Sequence, residues 1–91
     1  MRYEVRLRPS AERDLRALPR DVRDRILEQL TELADDPRPP DSQPLHGNLR
    51  GLWRLRMGDY RASYLIDQEA QLVRVGRIGH RSTFYRRLRG K

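Results

Sequence analysis

The chain has 91 residues, of which 36% are apolar and 36% are charged, and its formal net charge is +7. This length leaves room for one small hydrophobic core, so we expect residues 1–91 to form a single domain. The absence of cysteine excludes disulfides and Cys-based metal sites. The same lack of cysteine fits a bacterial or archaeal cytoplasm best. No apolar run approaches the length of a membrane span, so we expect no membrane partner.

The excess of positive charge favours a polyanionic partner such as RNA, DNA, the ribosome or an acidic protein, and the sequence pI is about 10.9. Every basic residue except Lys91 is an arginine. A GC-rich genome explains most of that preference. The chemical consequence holds in any case, because arginine binds phosphate in a bidentate manner and stays protonated.

The first part of the chain predicts one strand and two helices. Apolar and charged residues alternate over Arg2–Arg8, which is typical of a strand with one buried face. Ser10 is a favourable N-cap for a helix that reaches about Leu18. Pro19 separates it from a second helix over about Arg20–Asp35. Two helices joined by so short a turn form a hairpin that can cover one side of a sheet.

A proline-rich loop and a β-hairpin follow. The segment Asp36–Asn48 predicts the loop. Trp53–Met57 and Tyr60–Ile66 both alternate in hydropathy, and the turn residues Gly58 and Asp59 lie between them. The sequence therefore predicts two antiparallel neighbours joined by a tight turn.

The last part of the chain predicts one more strand, over Leu72–Gly79, and a short helical turn that contains Tyr85 and has Ser82 as its candidate cap. The element order is then β-α-α-β-β-β. This order predicts an α+β fold in which the N-terminal helical hairpin packs on an antiparallel sheet, with a short helical turn at the C-terminus.

Arginines gather on one face of the predicted hairpin. If the apolar residues of its first strand face the core, then Arg54 and Arg56 point away from it, and the second strand brings Arg61 to the same face. Three guanidinium groups on one surface repel one another unless an anion lies between them. The alternative is an ordinary solvated face of a basic protein.

Several short motifs occur in a fixed order along nearly the whole chain. They are Ala-x-x-Asp-Leu-x-x-Leu-Pro at 11–19, Leu-Ala-x-x-Pro at 33–37, Leu-x-Gly at 45–47, Trp-Arg-Leu-Arg-x-Gly-Asp-Tyr-Arg-x-x-Tyr at 53–64, and Gly-His-Arg at 79–81 with Tyr85 beyond. In this combination the chain resembles the RelE side of the RelE/ParE superfamily, the toxin halves of microbial toxin–antitoxin pairs.

The resemblance implies a microbial-ribonuclease-like RelE fold and an endoribonuclease that cuts messenger RNA in the ribosomal A site without a metal or other cofactor. It also implies neutralisation by a RelB-like antitoxin in a hetero-oligomer. In this chemistry a ribose 2′-hydroxyl attacks its own 3′ phosphate, which leaves a cyclic phosphate and a free 5′-hydroxyl.

The resemblance assigns site residues as well. The catalytic candidates are Arg61, Arg81, Tyr85, His80 and Arg56, and the candidates for RNA or phosphate contacts are Arg54, Arg56, Arg74 and Arg77. In-line attack builds negative charge on the phosphoryl oxygens, which preplaced cations stabilise, each by about 3 kcal/mol.

The general base stays open at this point. Arginine, with a reference pKa above about 12, accepts protons poorly, whereas several relatives place Lys or Glu at the matching positions. Two titratable side chains remain near the arginines, His80 and Tyr85. Each also has a structural alternative, since His80 can shape a turn and Tyr85 can pack at the edge of the core. For Trp53 and Tyr64 we expect core packing rather than stacking on bases.

Two other functions fit the same resemblance. One is a ParE-like toxin that poisons DNA gyrase and cuts no RNA. The other is a degenerate toxin that is retained as an antitoxin-binding or co-repressor module.

Overall fold

The computed structural model describes residues 2–90, in which the chain forms five strands and three α-helices. The strands are β1 (Glu4–Leu7), β2 (Ser42–Pro44), β3 (Trp53–Met57), β4 (Tyr60–Asp67) and β5 (Leu72–His80), and the helices are α1 (Pro9–Arg16), α2 (Arg20–Thr31) and α3 (Phe84–Gly90). The α+β class, the N-terminal helical hairpin, the β-hairpin and the C-terminal helix are confirmed.

The five strands form one sheet in the order β1-β5-β4-β3-β2. Three of the four pairings are antiparallel, but β1 and β5 run parallel, with Val5 opposite Val73. The expectation of an antiparallel sheet is therefore wrong at this edge. Alternation identifies the buried face of a strand but not the direction of a distant neighbour. The chain between β1 and β5 contains two helices and three strands, so its length permits either direction.

The predicted loop at 36–48 contains a short strand that sequence patterns did not indicate. β2 pairs with β3, and Ser42 lies opposite Leu55 while Pro44 lies opposite Trp53. Proline normally argues against a strand because it lacks an N–H donor. At the edge of a sheet that donor is not required, so Pro44 is tolerated there.

α1 begins earlier than expected and without a side-chain cap. Pro9 occupies the first turn, where its fixed φ suits the helix, and Arg8 is the N-cap. The prediction that Ser10 caps this helix is wrong, because its hydroxyl donates instead to the carbonyl of Gly76, at 2.6 Å. α2 ends at Thr31 and tightens into a 3₁₀ turn over Glu32–Ala34.

α1 continues the edge of β5 beyond the point where β1 ends. The Arg8 N–H donates to the Val75 carbonyl (2.9 Å), and the Ile78 N–H donates to Oδ2 of Asp14 (2.9 Å). A register shift after Ser63 leaves Gly76 without an opposite residue on β4, and the Arg77 N–H donates to the Ser63 hydroxyl (3.1 Å). Side chains of α1 and β4 thus supply the partners that a regular ladder would give this irregular part of β5.

The two N-terminal helices pack on one face of the sheet, and together they form the hydrophobic core. Its buried residues are Ala11, Leu15, Ile26, Leu30, Leu33, Leu55, Met57, Ala62, Tyr64, Val73, Val75 and Ile78. Trp53 packs against this cluster and Tyr64 is fully buried, so the prediction of core packing for both residues is confirmed. The arginines of β3 and β4 are left on the opposite face.

We expect Tyr64→Phe to lower the free energy of unfolding by about 1–3 kcal/mol, since a buried carbonyl loses its partner. The Tyr64 hydroxyl donates to the Pro37 carbonyl at 2.7 Å in the core. Urea denaturation at pH 7 measures the difference, and Tyr3→Phe, at a half-buried site, is the matched control. Equal stability of Tyr64→Phe and the wild type would contradict this role.

We also expect the protein to lose stability at alkaline pH through ionisation of the Tyr64 hydroxyl. Burial raises the pKa of Tyr64 above its ordinary value and outweighs the Ser42 side chain and the Arg38 charge, which lower that pKa. The stability that the neutral phenol contributes is therefore complete below the unfolded pKa of about 10, and it is lost as the pH rises through the higher folded pKa. Denaturation series at rising pH should show a smaller alkaline loss for Tyr64→Phe than for the wild type.

Candidate functional site

Side chains from β3, β4, the end of β5 and α3 surround an open cleft of about 570 Å³. The lining residues of this basic cleft are Arg54, Arg61, His80, Arg81, Ser82 and Tyr85. Five of them are candidates from the sequence. The structure thus brings together residues that lie up to 31 positions apart along the chain.

The strand register explains how the arginines reach the cleft. Arg56 lies directly opposite Arg61 in the β3–β4 hairpin, and Arg61 lies opposite Gly79 of β5. Side chains alternate between the faces of a sheet, so Arg54, Arg56 and Arg61 share the face away from the core, as predicted. Arg56 lies beside the cleft rather than in its lining, and its Nη2 is 3.6 Å from Oδ1 of Asp41.

Arg61 is held in place by the turn before it. Its Nη1 donates to the carbonyls of Gly58 (2.8 Å) and Tyr60 (3.0 Å). Burial lowers the pKa of Arg61, and the positive charge of Arg54 pushes that pKa in the same direction, while Tyr85 opposes it. The cleft therefore concentrates like charges and would gain stability from a bound anion.

The backbone of Arg81 is fixed by a hydrogen bond, while its guanidinium group is free to change partners. Its N–H donates to the Asp59 carbonyl at 2.8 Å. Its Nε lies 3.5 Å from Oδ1 of Asp59, and both side chains are exposed. Exposed ion pairs of this kind contribute little to stability, so the guanidinium can exchange Asp59 for another anion at low cost.

His80 has one ring nitrogen occupied by a neighbour. The Ser82 N–H donates to Nδ1 at 3.1 Å, and the Ser82 hydroxyl lies 2.9 Å from the same nitrogen. A backbone amide can only donate, so Nδ1 is the acceptor and neutral His80 carries its proton on Nε2. Both the N–H and the hydroxyl of Ser82 thus contact His80, and the hydroxyl does not cap α3 as the sequence predicted. α3 begins at Phe84, and the Thr83 carbonyl accepts from the Arg87 N–H.

Tyr85 projects from the first turn of α3 toward Arg54. Nη1 of Arg54 donates to the Tyr85 oxygen at 3.4 Å. Nε of Arg54 is buried and has no hydrogen-bond partner among residues 2–90. A buried donor without a partner is costly, which gives Arg54 a further reason to attract an anion or a water molecule.

Two predicted RNA contacts lie away from the basic cleft. Arg77 is half-buried, with its Nε 3.3 Å from Oδ2 of Asp14. Arg74 lies further down β5, opposite Leu65, beside a depression that Glu69 also lines. Contacts of Arg74 and Arg77 with RNA stay predictions.

The structure draws attention to one residue that sequence reasoning did not single out, Asp14, which lies outside the lining of the basic cleft. Asp14 accepts from the Ile78 N–H and pairs with Arg77 and Arg87. It belongs to the first helical motif, yet its partners lie more than 60 residues away. A polar residue between the apolar positions of that motif is the one sequence signal that could have drawn attention to it.

Within the part of the chain that the structure describes, no three His, Asp or Glu side chains lie close enough together to hold a metal ion. No helix there is long and apolar enough to cross a membrane.

Comparison with known proteins identifies the family. The model of the family described as "ParE toxin of type II toxin-antitoxin system, parDE" matches residues 5–85. The chain belongs to the RelE/ParE superfamily of type II toxins. It is 41% identical to Toxin RelG of Mycobacterium tuberculosis over 91 residues, covering 96% of this chain and 100% of that one, and 35% identical to Toxin RelE of the same organism over 85 residues, covering 92% and 87%.

Solved structures of RelE proteins share the fold. The toxin–antitoxin complex RelBE2 of Mycobacterium tuberculosis matches with a TM-score of 0.83 at 34% identity, covering 90% of this chain and 94% of that one. The archaeal RelE–RelB complex of Pyrococcus horikoshii matches with a TM-score of 0.76 at 29% identity, covering 89% and 97%. The family resemblance and the RelE fold expected from the sequence are confirmed.

We expect Arg61→Gln to weaken binding of a 2′-O-methyl RNA oligonucleotide by about tenfold, because one phosphate-facing cation is lost. Fluorescence anisotropy at several salt concentrations measures both the affinity and its salt dependence. Arg16→Gln, an exposed change of the same charge on α1, should leave the affinity nearly unchanged. The same assay on Arg74→Gln tests the predicted contact outside the cleft. Equal effects of Arg61→Gln and Arg16→Gln would show that net charge alone governs binding.

Proposed function

We propose that this toxin is an endoribonuclease that cleaves messenger RNA in the ribosomal A site without a metal ion. The observation that carries the proposal is the basic cleft, in which Arg54, Arg61, Arg81 and Tyr85 converge. Its cations lie where a phosphate can contact several of them at once, and phosphoryl transfer gains most from charges that are already in place. RelE toxins among the relatives support the same assignment.

In the proposed reaction the ribose 2′-oxygen forms a bond to phosphorus while the bond from phosphorus to the 5′-oxygen breaks. The 2′-hydroxyl loses a proton and the leaving 5′-oxygen gains one, so the products are a cyclic phosphate and a 5′-hydroxyl. Arg61 and Arg81 bind the scissile phosphate and stabilise the charge that develops on it. Arg54 and Arg56 hold neighbouring phosphates or the leaving oxygen.

The hydrogen bonds of His80 separate its role from that of Tyr85. A base needs a free lone pair, but the one on neutral His80 accepts from the Ser82 N–H. His80 is then a hydrogen-bond donor through Nε2, aimed at a phosphoryl or leaving oxygen. Tyr85 takes the part of proton acceptor as its phenolate: it removes the proton of the 2′-hydroxyl, water supplies the proton that the leaving 5′-oxygen gains, and ribosomal RNA aligns the substrate.

The proposed partners are the ribosome with its bound message and a RelB-like antitoxin, and the proposed location is the cytoplasm. The solved relatives include complexes of RelE with RelB. A toxin surface of net charge +7 attracts an acidic or amphipathic antitoxin that covers the cleft and forms a hetero-oligomer.

Primer extension on a defined message tests the activity. We expect purified toxin to cleave on ribosomes with the message in the A site and not to cleave the free message. The double variant Arg61→Ala/Arg81→Ala should lose at least about 10²-fold in rate, since it removes two donors to the phosphate. Retained cleavage, or full growth arrest by this variant in cells, would contradict the assignment.

Two substitutions of His80 separate donation from proton abstraction. Gln keeps an N–H donor near the position of Nε2, whereas Asn keeps only the contact with Ser82. We expect His80→Gln to stay within about tenfold of the wild-type rate and His80→Asn to fall further, by about 10²-fold. Equal loss in both variants, together with loss of the acidic limb of the pH–rate profile, would instead identify His80 as the base.

Poisoning of DNA gyrase is the second candidate, because the matching family model is described as a ParE toxin. A supercoiling assay with purified gyrase decides between the two. Inhibition of gyrase by both the wild type and Arg61→Ala/Arg81→Ala, with intact message, would replace the ribonuclease assignment. Antitoxin binding with neither activity would indicate a degenerate binding module.

A further inference from the structure

α3 carries Tyr85 and is too short to be stable without packing against the rest of the protein. It has seven residues, about two turns, and helices this short are unstable unless they pack on something else. The position of the Tyr85 hydroxyl beside Arg54 therefore depends on how α3 is docked to the rest of the protein.

Two contacts on one side of α3 dock it, one onto β5 and the other onto α1. Phe84 is 1% exposed and packs beside Gly79. Arg87, three residues later on the same side of the helix, donates from Nη2 to Oδ1 of Asp14 at 2.9 Å.

Asp14 is a fixed point independently of Arg87. Its side chain is only 7% exposed, its Oδ2 accepts from the Ile78 N–H at 2.9 Å, and Arg77 lies beside it. The carboxylate is screened less than a surface charge, so it attracts Arg87 more strongly than an exposed carboxylate would, although the Arg87 side chain itself is 43% exposed.

We infer that Asp14 and Arg87 are positioning residues of this toxin: their ion pair docks α3 and so places the Tyr85 hydroxyl in the basic cleft. The catalytic part of this inference rests on the proposed ribonuclease function. Neither side chain lines the cleft.

The partners of Asp14 show which residue to change. Replacing Asp14 would leave the Ile78 N–H and Arg77 without their partner and would disturb the fold itself. Replacing Arg87 leaves Asp14 with the Ile78 N–H and Arg77 as partners. We therefore expect Arg87→Ala to loosen α3 while the core stays intact. Arg86→Ala is the matched control, because Arg86 has the same charge, is the preceding residue of the helix and is exposed.

The experiment compares wild type, Arg87→Ala, Arg87→Lys and Arg86→Ala by hydrogen exchange of the C-terminal peptide and by kcat and KM on programmed ribosomes. For Arg87→Ala we expect exchange in α3 to rise about tenfold and kcat to fall by about 10²-fold, with the thermal midpoint and KM nearly unchanged. Arg87→Lys should recover part of both effects, and Arg86→Ala should show neither.

Three results would overturn the inference. Unchanged exchange in Arg87→Ala would show that the pair does not dock α3. A rise in KM with unchanged kcat would make Arg87 a direct RNA contact. Equal losses in the Arg86 and Arg87 variants would reduce the effect to net charge. If the wild type cleaves no message, the proposed function fails, and the exchange comparison still decides whether the ion pair docks the helix.

Discussion

The buried carboxylate of Asp14 is the interaction on which the rest of the arrangement depends. One carboxylate accepts from the irregular stretch of β5 and pairs with arginines of β5 and α3, so a single side chain of α1 connects three elements. Burying a carboxylate is expensive unless its oxygens are partnered, and the Ile78 N–H and Arg77 partner this one whether or not Arg87 is in place. Through Arg87 the same carboxylate contacts α3, which ties the position of the C-terminal helix to that of the N-terminal one.

The two faces of the sheet differ in character, since one packs against the helices and the other carries the basic cleft. The apolar side chains of β3, β4 and β5 pack against the helices, while their alternating neighbours place arginines on the other face. Arg54 and Arg61 gain nothing from one another, since each disfavours the charge of its neighbour. The core compensates for that repulsion. Folding has already brought these like charges together. A bound anion relieves their repulsion, and this relief strengthens its binding.

Short-range hydrogen bonds then give each cleft residue its own character. Carbonyls of the Gly58 turn aim Arg61, and the Asp59 carbonyl fixes the backbone of Arg81 while its guanidinium stays exchangeable. The Ser82 amide selects the tautomer of His80. The contacts of Arg61 and His80 are with near neighbours, whereas that of Arg81 joins the end of β5 to the turn between β3 and β4. Similar cations in one cleft thus have different hydrogen-bond partners.

What the sequence determined by itself was local or periodic. Strict alternation in β3 and β4 placed Arg54, Arg56 and Arg61 on one face, and the ordered motifs identified the family. Tertiary structure alone decided the features that rest on distant partners. Three features depend on residues far apart in the chain: β1 runs parallel to β5, β2 pairs with β3, and Arg77 pairs with Asp14 away from the cleft. Periodicity records which side chains are buried, but it carries no information on which strand or carboxylate they meet there, because that choice is made by packing between distant segments.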